Sequence, residues 1–80
     1  MIDHKTGKRV VVQIDPDAGP YFKIYTREQA DELEDLFGDK YDILFEMKYP
    51  EDVKEDGGQE FYFGNLADPI KLQKIIDEII

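Results

Sequence analysis

Apolar and polar residues alternate one by one from Tyr41 to Tyr49: Tyr41, Ile43, Phe45, Met47 and Tyr49 share one side, Asp42, Leu44, Glu46 and Lys48 the other. A period of two over that length predicts a half-buried strand. Arg9 to Ile14 repeats the pattern in β-branched residues, with Val10, Val12 and Ile14 facing one way. Tyr21 to Tyr25 alternates Phe22 and Ile24 against Tyr21, Lys23 and Tyr25, and Glu60 to Phe63 sets Phe61 and Phe63 about Tyr62.

Asp15-Pro16-Asp17-Ala18-Gly19-Pro20 carries the chemistry of a turn, so the first two strands are expected to form a hairpin. Pro50 to Gln59 is acidic and ends in Gly57-Gly58; residues 50–59 are expected as a mobile loop closing a second hairpin. Residues 1–8 are expected as an N-terminal arm, or as a short edge strand if His4-Lys5-Thr6-Gly7 closes a turn.

A helix is expected after each hairpin. Thr26 with Gln29 three residues on is a capping-box pattern, and Gly38 suits the position just past the helix end. Ala30, Leu33, Leu36 and Phe37 make its apolar stripe, while Asp68 and Pro69 suit the cap and first position of the second helix. Leu72, Ile75, Ile76, Ile79 and Ile80 then recur at helical spacing. The expected fold is α+β, ββαββα: a four-stranded antiparallel sheet with two helices packed on one face, one domain over residues 1–80. Its expected core is Val10, Val12, Ile14, Phe22, Ile24, Leu33, Phe37, Ile43, Phe45, Phe61, Phe63, Leu72, Ile75, Ile76 and Ile79.

Composition narrows the chemistry. Eighty residues give a marginal core, and cysteine and serine are both missing. Disulfides, thiolate metal sites and Ser or Cys nucleophiles are thereby excluded. His4 is the sole histidine and has no partner ligand in sequence, so no metal or cofactor is expected. Asp15-x-Asp17-x-Gly19 lacks the later ligands of a calcium loop, and Thr6-Gly7-Lys8 lacks the upstream glycine of a phosphate loop. Asp42 and Glu46, the acids most apt to face each other, fall on an outer strand side rather than in the apolar pocket that acid–base work requires. No catalytic residue is expected.

Charge is uneven. The chain carries 19 acids against 10 bases, net −9, but residues 28–60 alone hold 13 acids and three bases. Such acidity argues against direct nucleic-acid binding, and no apolar stretch is long enough for a membrane. With no leader-like N-terminus, a cytoplasmic location is expected. Glu28, Asp31, Glu32 and Asp35 fall on one helix face, where Glu28/Glu32 and Asp31/Asp35 repel at i, i+4. On the sheet side away from the helices, parity places Tyr21, Tyr25, Leu44 and Tyr62, more apolar than a bare solvent face needs.

The function expected from these surfaces is non-enzymatic: binding of a protein partner, or of a second copy as a homodimer, through the tyrosine-bearing sheet face and the acidic helix. A partner for that helix has a basic surface. The alternatives are a nucleic-acid-mimicking inhibitor of a DNA- or RNA-binding protein, and, disfavoured by the thin catalytic inventory, a small enzyme.

Overall fold

Two adjacent strands supply the apolar side of the sheet, because Phe22, Ile24 and Phe61 all project from it and are fully buried. The computed structural model describes residues 1–79, so the expected place of Ile80 on the second helix lies outside the described residues. In chain order the elements are β1 (Gln13–Asp15), β2 (Gly19–Thr26), α1 (Arg27–Asp39), β3 (Glu46–Lys48), α2 (Glu51–Lys54), β4 (Gly57–Tyr62) and α3 (Pro69–Glu78). The fold is α+β: a four-stranded antiparallel sheet in the order β1-β2-β4-β3, with helices.

Ala30, Leu33 and Phe37 of α1 and Ile76 of α3 join the sheet's apolar side in one cluster with Met1, Val10 and Ile79. Phe37 sits at its centre, its ring 6.2 Å from Phe22, 6.0 Å from Phe61, 5.8 Å from Phe45 and 5.5 Å from Phe63. Both helix starts follow the local sequence. The Thr26 side chain accepts from the Gln29 N–H, and Asp68 accepts from the N–H groups of Ile70 and Lys71, with Pro69 opening α3.

Several expectations need correction. The strand over Tyr41–Tyr49 shrinks to β3, because its partner β4 stops at Tyr62, opposite Glu46. Residues 41–45 keep their alternating burial but have no strand beside them. Arg9–Val12 likewise lies outside β1. Gly38 is inside α1 rather than past its end; Lys40 is the C-cap, and Asp42 takes the left-handed conformation at φ 51°. Within 50–59, residues 51–54 form a helical turn with Val53 buried, and Gly57-Gly58 open β4.

Ile14 is the one expected core residue that is exposed, at 60%. It lies on an edge strand, and an open groove of about 580 Å³ separates it from α3. Val12, Ile43, Phe45, Phe63 and Ile75 are half-buried around the cluster rather than inside it.

The N-terminal arm is fastened by side chains rather than by a ladder. Among the described residues it makes a single β-bridge, Ile2 to Arg9. The buried Asp3 carboxylate accepts from the N–H groups of Lys5, Thr6 and Tyr25, and the backbone nitrogen of Met1 donates to the Ile76 carbonyl at 2.9 Å.

Candidate functional site

Strand register builds the tyrosine-bearing sheet face in rows. Gln13 pairs with Tyr21, Tyr21 with Tyr62 and Tyr62 with Glu46, so one row crosses all four strands. The next row is Lys23, Glu60 and Lys48. In the first row the Tyr21 and Tyr62 rings stack, 5.0 Å between centroids and 11° between planes. The Lys48 ammonium lies 4.4 Å above the Tyr62 ring, a cation–π contact that fixes the outer edge of the stack. Tyr21 donates to Gln13 Oε1 at 3.2 Å, and Tyr62 donates to Glu60 Oε1 at 3.0 Å.

The second row sets charges of opposite sign side by side. Lys23 Nζ lies 2.6 Å from Asp52 of α2 and 3.6 Å from Glu60. Those contacts hold the Lys23 ammonium above its ordinary range, chiefly through the Asp52 hydrogen bond. Burial, then the bond to Glu60, pushes the Tyr62 hydroxyl up to about 12. Tyr62 is therefore a fixed donor, its ring held between Tyr21 and Lys48.

A cleft of about 320 Å³ opens at the end of the first row, between Leu44, Phe45, Tyr62, Phe63 and Lys48. Leu44 forms its lip and is 91% exposed. Tyr62 and Leu44 thus meet at one cleft, and Tyr21 stacks against its wall. Tyr25 does not join them: it borders a separate crevice with Asp3, Val10, Val11 and Lys23. Gln13 and Glu46, which complete the row, and Lys48, which caps it, share this face by sequence parity but were not among the expected site residues. The signal for Lys48 was its shared parity with Leu44 and Glu46 on the same strand.

Glu28, Asp31, Glu32 and Asp35 are all exposed on α1. Because α1 covers the side of the sheet opposite the tyrosines, its outward strip points away from the cleft. The two surfaces are separate. Asp31 is partly offset by Arg27 at 3.7 Å, and Glu34 turns inward to accept from the buried Gln59 at 3.2 Å.

No protein-family model, curated protein or solved structure matches this chain. Among the described residues no group of three or more His, Asp or Glu side chains is placed to hold a metal ion, and no helix is long and apolar enough to cross a membrane.

Proposed function

We propose that the protein is a non-enzymatic interaction module that binds a protein partner through the Tyr21–Tyr62 stack and the cleft beneath Leu44. One observation carries this reading: a leucine 91% exposed stands beside an ordered aromatic stack at the mouth of an open cleft. An exposed apolar side chain by itself means little, but rigid tyrosines around a cavity supply contact area at small entropic cost. The partner inserts an apolar side chain into the cleft. Its basic surface meets the acidic strip of α1, whereas at the cleft rim Glu46 and Lys48 offset one another.

The acidic strip of α1 is a second, independent contact in this reading, serving long-range attraction. One helix face is short for imitation of a nucleic-acid backbone, which carries one charge per about 1.7 Å of axis. The test is affinity capture from the soluble extract of the source cells with wild-type and Leu44→Glu baits. A partner retained by the wild type and lost by the variant supports the reading; a partner held equally by both removes the cleft from the interface.

A further inference from the structure

We propose that the groove between β1 and α3 is a self-association surface, occupied by the same groove of a second copy about a two-fold axis. Val12, Ile14, Pro69 and Ile70 form its apolar floor and wall, and Gln73, Lys74, Asp77 and Glu78 its rim. Ile14 is 60% exposed and Ile70 80% exposed, in a chain whose core has few apolar residues to spare. β1 is also an edge strand, paired with β2 alone. Uncovered edges carrying apolar side chains are ordinarily protected by charge, proline or a partner.

Charge selects a second copy as that partner. Residues 9–15 and 69–78, which frame the groove, carry Arg9, Lys71 and Lys74 against Asp15, Asp77 and Glu78, a net charge of zero. The whole −9 therefore resides elsewhere on the chain. The residues that frame this surface set no net repulsion between two copies. The signs are also ordered along α3, with Lys71 and Lys74 ahead of Asp77 and Glu78 in its last turn. Antiparallel contact of two α3 helices sets Lys71 and Lys74 of one copy beside Asp77 and Glu78 of the other. An isologous interface needs that self-complementarity. Gln73 closes the backbone edge up to Val12, accepting from its N–H at 2.7 Å and donating to the Val10 carbonyl at 3.0 Å. The strand edge beyond it, at β1, is left for the second copy.

Sedimentation equilibrium over a concentration series tests this on wild type, Ile70→Glu, Lys74→Glu and Leu44→Glu. The wild type is expected to show a monomer–dimer equilibrium that strengthens as salt screens the net repulsion of two −9 chains. Ile70→Glu is expected to weaken it by about tenfold or more, and Lys74→Glu to weaken it as well, whereas Leu44→Glu leaves it unchanged. Circular dichroism of Ile70→Glu is expected to match the wild type, because the side chain is exposed and an acid suits the first helical turn. A wild type that stays monomeric at millimolar concentration overturns the proposal. So does a dimer that survives Ile70→Glu and dissociates on Leu44→Glu, an outcome that would assign self-association to the tyrosine face.

Discussion

Gln29 and Gln73 make the same contact from two different helices. Each carboxamide spans an extended segment, accepting from one N–H and donating to the carbonyl two residues earlier: His4 and Ile2 for Gln29, Val12 and Val10 for Gln73. Each side chain thereby takes the place of a neighbouring strand. That explains how residues 1–12 stay fastened with, among the described residues, only one β-bridge between them.

Replacing either glutamine with leucine strips two backbone groups of partners and costs about 1–3 kcal/mol. Gln29→Leu is expected to be the more damaging, because Gln29 is buried and Gln73 only half-buried. Amide hydrogen exchange reads this locally: His4 loses protection in the first variant and Val12 in the second. Unchanged protection at both amides would show that the arm is held by its apolar contacts alone.

Phe37→Ala is expected to cost about 3–5 kcal/mol, since it removes the ring that touches four other phenylalanines. Phe45→Ala, on a half-buried ring, costs less. Gly58→Ala is expected to rival Phe37→Ala by a different route: a Cβ there would collide with the Ile24 carbonyl oxygen, and backbone is costly to move. Thermal melts of the three variants rank them; Phe45→Ala as the worst would place the core on the wrong side of Phe37.

The raised Tyr62 hydroxyl links its hydrogen bond to alkaline stability. An unfolded chain ionises Tyr62 near pH 10, while the fold holds it neutral to about 12. Its contribution is complete below pH 10 and is lost as pH rises through the folded value. Absorbance titration of tyrosinate is expected to show one late group in the wild type that is missing from Tyr62→Phe. At the acid end, the Arg9 guanidinium holds the Asp77 carboxyl below its ordinary 3.8, so that pair contributes above pH 4 and fades below it.

What could be read from the sequence was mostly local. The Thr26 and Asp68 caps and the Phe22–Ile24 face depend on neighbours a few residues away. Strand ends did not yield, because alternation over Tyr41–Phe45 says which side faces in but not whether a partner strand reaches that far. α2 has four residues and one buried apolar side chain, too short for a helical period to show. Gln29 is the clearest case: its cap spacing was legible, but its side chain turns to residues 25 and 27 positions away. For the candidate site, parity placed Tyr21, Leu44 and Tyr62 on one side, whereas the stack and the cleft follow from strand order, which the pattern does not encode.

The acidic strip of α1 is expected to add rate rather than grip. Changing Glu28, Asp31, Glu32 and Asp35 to their amides removes two repulsive pairs worth about 0.2–0.5 kcal/mol each, so the fold is expected to hold or gain slightly. Among the described residues, the favourable interactions lost are the exposed Arg27–Asp31 pair and the charge of Glu28 in the first turn of α1. Stopped-flow association with the captured partner is expected to slow and to lose its salt dependence, with dissociation unchanged. Equal association rates at low and high salt in the unmodified protein would leave the strip with solubility alone.

The central claim, that the Tyr21–Tyr62 stack and the Leu44 cleft form the binding face, is tested most directly by NMR. Spectra of the Leu44 methyls and the Tyr21 and Tyr62 rings are recorded as purified partner is added, with the methyls of Leu33 and Ile76, in the core on the opposite side of the sheet, as controls. The account predicts large, saturable shifts at Leu44, Tyr21 and Tyr62, and nuclear Overhauser contacts from partner methyls to the Tyr62 ring. Unmoved Leu44 and Tyr62 signals in a complex that saturates, with the shifts confined to α1, would contradict it.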